Sequence, residues 1–376
     1  MTTSATTHDA SRGTVLIMAA GTGGHIFPAL SIARNLQSRG YRTEWLGTPT
    51  GLEVEVLRNT DIVLHRINAR GLRGKSRLSV LTAPFMLLRA LLQSLQVLRR
   101  VRPCCVLGMG GYVTGPGGLA ARLTGRPLLI HEQNAIAGFS NRLLARIADC
   151  VMEAFPWTFA GQTGAISTGN PVRAEIRALP LPQERAPAAD GRLRVLVLGG
   201  SLGAVAINRL VPQALQLLAT EQRPLLRHQV GRNNLEQTRE AYAQAGLTLD
   251  EHCQLLPFID DMAAAYDWAD LVICRAGATT VCEIAAAGKP AIFIPFPHAV
   301  DDHQTHNAQW LSNAGAAVLI QQRALNAQDL AGWLEDFSRD RARLLAMAMA
   351  ARALARPEAC DLVTEQCIKA CGAVTQ

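Results

Sequence analysis

A chain of 376 residues that is 49% apolar, with Gly and Pro spread along it, can pack roughly two cores and is neither disordered nor fibrous. Its net charge of +7 points to an anionic partner, a phosphorylated ligand or an acidic membrane surface; no basic tract interleaved with aromatics is present, so nucleic acid is not expected. Nine cysteines with no CxxC pair, Cys104 and Cys105 being merely adjacent, predict reduced, buried thiols with neither a metal site nor a disulfide framework.

Residues 1–13 are polar, lack the apolar core of a signal peptide and read as a frayed tail. Val15 to Met18 form a short apolar run, the pattern of a strand buried on both faces. Gly21, Gly23 and Gly24 then break the regular backbone, and Pro28 with Leu30, Ile32, Ala33 and Leu36 reads as the opening of a helix. A strand, a glycine turn and a helix place backbone N–H groups and a positive helix end toward an anion. His25 stands at the lip of that turn, either as a functional imidazole or as a hydrogen-bonded structural one.

Further strand-like runs follow at 42–46, 61–65, 104–107 and 127–131, with helical stretches between them. The alternation predicts βα units around a parallel sheet. Residues 78–98 are long enough to span a bilayer, but Pro84, Arg89, Gln93 and Gln96 argue against spanning. Phe85, Leu88, Leu92 and Leu95 share one helical face. Arg70, Arg73, Lys75 and Arg77 lie upstream, and Arg99, Arg100 and Arg102 downstream. The stretch is either an interfacial helix for an anionic leaflet or an ordinary helix covering the sheet.

Residues 176–192 are rich in Pro and charge and read as a loop near a domain boundary. A second series begins at 193–198. The glycines 199, 200 and 203 repeat the opening device before a helix near Val205, and strands are expected at 228–231, 253–256, 271–274 and 291–294. The expected architecture is α/β, two doubly wound domains facing each other across a cleft, with ligands beyond the carboxyl ends of the strands.

Four more stretches can carry chemistry. The glycine-dense run 107–118 around Tyr112 predicts a loop with close backbone approach to a ligand or another loop. His131-Glu132-Gln133-Asn134 ends an apolar strand, and its single His rules out a helical zinc motif. In the run 274–283, small residues and the Thr279 and Thr280 hydroxyls open a helix and can donate to phosphate. Glu283 either accepts from ribose hydroxyls or complements the helix dipole. Gln304, in Asp301-Asp302-His303-Gln304-Thr305-His306-Asn307-Ala308, can orient sugar hydroxyls, although the acids there also fit helix capping.

Together GTGGHIFPAL, VLGMGGYVTGPGG, HEQNAIAGFSNRLL, TGNPVR, LGGSLGA, PFIDDM, CRAGATTVCEIAAAGKPAIFIPFP and DDHQTHNA resemble the successive motifs of the MurG family, in order, from about Val15 to Ala308. Ala19-Ala20 before Gly21, Cys282 and His303 depart from its usual residues. The resemblance implies a GT-B glycosyltransferase that moves GlcNAc from UDP-GlcNAc to the MurNAc C4 hydroxyl of lipid I, with inversion and without a cofactor or metal. It implies domains at 14–172 (acceptor and membrane association) and 173–345 (UDP-GlcNAc), with a C-terminal helix at 346–376 packing back on the first domain. Thr22, Gly23, Gly24, Asn134, Arg173, Ser201, Ile259, Ala278, Thr279, Thr280, Val281, Cys282, Glu283 and Gln304 would be its substrate-binding residues. The Ile259 backbone would read the uracil, Glu283 the ribose and Ser201 the pyrophosphate. UDP-GlcNAc, lipid I, the anionic cytoplasmic face of the inner membrane and other cell-wall synthesis proteins are the implied partners.

An inverting transfer needs a base, and His25 is the candidate by position and chemistry. Arg173 and the helix ends would stabilise departing UDP. Three alternatives remain at this stage: a UDP-GlcNAc epimerase of similar fold, an NAD-dependent dehydrogenase, and a non-catalytic nucleotide-sugar-binding module. The dehydrogenase is weakened because GTGGH lacks the GxGxxG spacing and no clean acid closes the second strand.

Overall fold

The computed structural model describes residues 12–69, 77–160, 164–185, 191–200 and 203–373, with 77–82 by backbone only. Ser201, Arg70, Arg73, Lys75 and most of the expected N-terminal tail therefore lie outside the described residues.

The chain divides into two compact units. The first comprises 1–133, 137–171 and 358–376, the second 134–136 and 172–357. In chain order the first unit contains β1 (Thr14–Ala19), α1 (Gly23–Ser38), β2 (Arg42–Gly47), α2 (Leu52–Val56), β3 (Val63–Arg66), α3 (Arg77–Val101), β4 (Cys105–Gly110), α4 (Thr114–Leu123), β5 (Leu128–Glu132), α5 (Phe139–Leu144), β6 (Cys150–Glu153) and β7 (Ile166–Ser167). The second runs through α6 (Ala174–Arg177), β8 (Arg194–Leu198), α7 (Val205–Leu217), β9 (Leu225–Gln229), α8 (Leu235–Gln244), β10 (Cys253–Leu256), α9 (Met262–Trp268), β11 (Leu271–Cys274), α10 (Ala278–Ala287), β12 (Ala291–Phe293), α11 (His303–Ser312), β13 (Ala317–Leu319), α12 (Ala327–Arg339) and α13 (Arg341–Ala353). The last helix, α14 (Ala359–Gly372), belongs to the first unit.

Every strand pair is parallel, in the orders β3-β2-β1-β4-β5-β6-β7 and β10-β9-β8-β11-β12-β13. In each sheet the order reverses beside the unit's first strand, so the loops after β1 and β4, and after β8 and β11, flank a topological switch point. The apolar run of β1 is divided residue by residue. Val15, Ile17 and Ala19 pack with α1 and α14, whereas Leu16, Met18 and Ala20 pack with α3 and α4. A period of two, buried on both sides, is why the run shows no polar alternation. In the second unit Val195 and Val197 of β8 pack against Ile207 and Val211 of α7 in the same manner.

Several expectations change. The glycines after β1 do not form an extended turn. Gly23 and Gly24 are the first residues of α1, Thr22 is its N-cap, and Pro28 lies inside the helix. Proline lacks the N–H that would bond four residues back, but this near the N-terminus the loss is confined to one hydrogen bond. The run 107–118 is not one loop: it comprises the end of β4, a short turn at 111–113 and the first residues of α4. Gly117 and Gly118 sit in α4 because a side chain there would strike Met18 and Leu144. The strand expected at 228–231 starts earlier, at Leu225, and ends at Gln229. Residues 134–136 sort with the second unit, and α13, whose residues from 346 on were expected in the returning segment, packs on α10 of the second unit; only residues after Pro357 join the first. Cys104 and Cys371 form a disulfide, contrary to the expectation of reduced thiols; a separation of 267 residues carries no spacing signal.

Candidate functional site

In the first unit the switch point gathers on His25. The half-buried ring stands in the first turn of α1, and the residues after β4 come up beside it. Gly110 has φ +108°, and a Cβ there would lie 2.7 Å from the imidazole. The next residue, Gly111 (φ +86°), would drive a Cβ into the Ala20 carbonyl. Glycine is required at both positions by conformation and by space.

The imidazole is held by a chain of neutral groups. His25 Nδ1 lies 2.7 Å from Gln133 Oε1; Gln133 Nε2 lies 3.0 Å from His131 Nδ1; His131 Nε2 lies 3.0 Å from the Gly169 carbonyl. The protonation pattern follows from the far end. A carbonyl only accepts, so His131 Nε2 carries its proton and donates. Burial pushes the His131 pKa down to about 4, so the ring is neutral and Nδ1 accepts from the Gln133 amide. The Gln133 oxygen then faces His25 and accepts from Nδ1–H. His25 Nε2 is left with a lone pair. Glu132, between the two relay residues in sequence, does something else: Oε2 accepts from Gly138 N–H (3.0 Å) and Asn141 Nδ2 (2.9 Å) and fixes the start of α5.

In the second unit the loops after β11 and β12 meet. Gln304, on α11, accepts with Oε1 from Ala276 N–H (3.3 Å) and Phe296 N–H (2.9 Å), which leaves its NH₂ group to donate. Asn307, one turn on, donates to the Ala276 carbonyl (3.1 Å) and to Asn134 Oδ1 (3.3 Å), and accepts from Ala135 N–H (2.8 Å). Arg275 donates to the Ile294 and Pro295 carbonyls and to Gln322.

Ala278, Thr279, Thr280 and Val281 form the first turn of α10, so their orphan N–H groups and the positive helix end are directed together. Thr279 Oγ1 is buried without a hydrogen-bond partner among the described residues. Cys282 and Glu283 are buried one turn further in. Both Glu283 oxygens are occupied: Oε1 accepts from Arg173 at 2.9 and 3.2 Å, and Oε2 from the Tyr266 hydroxyl at 3.2 Å. Burial raises its pKa, while the Arg173 charge and these hydrogen bonds pull it back. Ile259 is half-buried in the loop between β10 and α9.

The structure thus joins Arg173 to Glu283 and Asn134 to Asn307, and carries Gln304 on the same helix as Asn307. His25, Thr22, Gly23 and Gly24 lie at the first unit's switch point. Sequence reading did not single out Gln133, Tyr266 or Asn307. Gln133 and Asn307 sat inside quoted motifs, and the i,i+3 spacing from Gln304 to Asn307 was a usable sign of a shared helix face. Tyr266 precedes Glu283 by 17 residues, with no periodic relation to it.

One face of the first unit carries exposed apolar side chains, uncovered among the described residues. On α3, Ala90, Ser94, Val97 and Leu98 are buried, whereas Phe85 is 71% exposed and Leu88 and Leu92 53% each. Leu119 and Leu123 of the adjoining α4 and Leu143 of α5 are exposed as well, with Arg89, Arg122, Arg142 and Arg146 among them. No helix among the described residues is long and apolar enough to cross a membrane.

Comparison with known proteins adds to this geometry. The glycosyltransferase family 28 N-terminal domain matches residues 15–153, and the family's C-terminal domain matches 194–363. A UDP-N-acetylglucosamine–N-acetylmuramyl-(pentapeptide) pyrophosphoryl-undecaprenol N-acetylglucosamine transferase of Marinobacter nauticus is 54% identical over 96% of this chain and 99% of its own. The protein of the same name from Azotobacter vinelandii is 53% identical over 94% and 98%. The crystal structure of Acinetobacter baumannii MurG superposes with a TM-score of 0.81 at 44% identity, covering 95% of this chain and 99% of that one.

Proposed function

The chain belongs to glycosyltransferase family 28, and we propose that it transfers GlcNAc from UDP-GlcNAc to the MurNAc C4 hydroxyl of lipid I, giving lipid II and UDP with inversion, in peptidoglycan synthesis. The observation that carries this is near-full-length identity above 50% to transferases of that name, with the GT-B architecture of two parallel-sheet units.

His25 is the general base. Its Nδ1–H is engaged by Gln133, so the Nε2 lone pair takes the proton of the attacking hydroxyl. Gln133 is neutral and, unlike a carboxylate partner, places no charge beside the ring. The departing UDP is an anion and is stabilised by the first-turn N–H groups of α10, by Arg173 and by Ser201. Thr22, Gly23 and Gly24 offer the N-terminal N–H groups of α1 to the donor. Glu283 addresses the ribose from a position held by Arg173 and Tyr266, and the Ile259 backbone the uracil. The Gln304 NH₂ and Asn134 orient the GlcNAc hydroxyls. No cofactor is required in this scheme.

The exposed face of Phe85, Leu88 and Leu92, with arginines around it, docks on an anionic leaflet at the cytoplasmic face of the inner membrane, where the lipid acceptor resides.

The test combines purified protein, labelled UDP-GlcNAc and a lipid I analogue, with and without EDTA. Label on the lipid and stoichiometric UDP are expected in both. Absence of lipid-linked label overturns the assignment, and conversion of UDP-GlcNAc without acceptor indicates an epimerase. For docking, Leu88→Ser with Leu92→Ser should lower co-sedimentation with phosphatidylglycerol vesicles severalfold while leaving transfer to a water-soluble acceptor unchanged; unaltered sedimentation removes this face from the membrane.

A further inference from the structure

Outside the site, sulfur is concentrated at one place. Cys104 immediately precedes β4 and Cys105 opens it, while Cys360, Cys367 and Cys371 lie along the buried face of α14. Cys104 and Cys371 are bonded, with Cα atoms 4.7 Å apart, within the separation a disulfide accommodates. Cys105 carries a free thiol whose Sγ is 3.5 Å from the Cys371 sulfur. The three sulfur atoms lie within 4.8 Å of one another; Cys104 is partly accessible and the other two are buried. Polar ties between α14 and α1 are partly exposed. Arg39 and Asn35 reach Asp361 at 2.6 and 2.9 Å, and Arg39 reaches Glu365 at 4.0 Å. Such partly exposed pairs hold weakly. None of these cysteines takes part in the His25 chain.

We propose that Cys104, Cys105 and Cys371 form a reversible thiol–disulfide modification site that fastens α14 to the start of β4, with a small-molecule disulfide of the oxidised glutathione class as its oxidant. From the reduced state, the Cys104 thiolate, the most accessible of the three, attacks one sulfur of the oxidant; a mixed disulfide forms and one glutathione thiolate leaves with a proton. Cys371 then attacks the Cys104 sulfur, closing the protein disulfide and releasing the second glutathione. Two protein thiols have lost two electrons and two protons to the glutathione disulfide, which is reduced to two glutathione thiols. Cys105 supplies a second channel with no net redox change: its thiolate attacks the Cys371 sulfur 3.5 Å away, the Cys105–Cys371 bond forms, the Cys104–Cys371 bond breaks, and Cys104 takes up the proton.

The experiment uses the full chain equilibrated at graded ratios of reduced to oxidised glutathione, acid-quenched, blocked with N-ethylmaleimide and mapped by mass spectrometry. A Cys104–Cys371 peptide pair is expected toward oxidising ratios, and both thiols alkylated toward reducing ones. Cys104→Ser should move the bond to Cys105–Cys371, Cys105→Ser should leave Cys104–Cys371 in place, and Cys371→Ser should abolish both. Oxidation should raise the Tm of the wild type and leave that of Cys371→Ser unchanged; circular dichroism and transfer activity verify that each protein is folded. Folded wild type whose Cys104 and Cys371 are alkylated at every ratio overturns the site. Folded Cys104→Ser that never pairs Cys105 with Cys371 overturns the exchange channel.

Discussion

The two switch points have the same strand order and the same succession of strand, glycines and helix, yet they hold their functional groups by opposite means. At the first, His25 is bound through Gln133 and His131 to a backbone carbonyl, a chain with no formal charge. At the second, the buried Glu283 carboxylate is compensated by Arg173 and Tyr266. A neutral chain specifies a tautomer. A charge pair specifies a charge and an orientation, the requirement for binding. On the roles proposed above, one topology carries a proton-transfer group in one copy and a ligand-holding group in the other, and partner chemistry distinguishes them.

The largest expected effect tests the first half of that contrast. His25→Ala should lower kcat by roughly 10² or more while UDP affinity stays within about twofold. A near-normal rate removes the base. Glu283→Ala should act in the other column, raising KM for UDP-GlcNAc by about tenfold with a smaller change in kcat, because a buried hydrogen-bonded carboxylate is lost and Arg173 is left unpaired. Equal losses in kcat for both variants would erase the distinction between the two switch points.

Gln133→Glu turns the neutral chain into a charged one. The carboxylate favours the imidazolium, so the acidic limb of the kcat profile should move upward by about one pH unit. An unmoved limb breaks the link from Gln133 to His25.

The smallest effect concerns stability. Each unit buries a neutral histidine: His131 at about 4 in the first, and His228, between the Tyr242 hydroxyl and Asn208, at about 3 in the second. Both values are depressed by burial from 6.5. Below that pH the unfolded chain takes up protons that the fold refuses, so stability falls as pH drops from about 6.5 toward 4, by a few kcal/mol in order of magnitude. Denaturant midpoints across that range, with His228→Gln as control, measure it; a flat profile contradicts the neutral assignment.

Much of the fold was legible in the chain because local rules sufficed. The run at Val15–Met18, buried on both faces, and its repeat at Leu193–Leu198 announce two parallel sheets through hydrophobic period alone. The glycines were visible, but not their purpose. Gly117 and Gly118 carry no loop signal that separates them from Gly110 and Gly111; what differs is that Met18 and Leu144 press on one pair and Ala20 and His25 on the other. Those neighbours come from distant parts of the chain.

The site divides along the same line. His25, Glu283 and Gln304 stood out as candidates by residue type near the ends of strands and the starts of helices, a local property of α/β units. That His25 Nδ1 donates to Gln133, that Arg173 closes on Glu283 across 110 residues, and that Cys104 bonds Cys371 across 267, were decided by packing. Sequence by itself determined the order of most strands and helices, though not β6, β7 or β13, and showed which residue types could do chemistry, because backbone propensity and hydrophobic period act over a few residues. Only the tertiary structure decided which nitrogen of His25 is free, which carboxylate is neutralised and which thiols meet, because hydrogen bonds, charge compensation and sulfur chemistry act over a few ångströms regardless of distance along the chain.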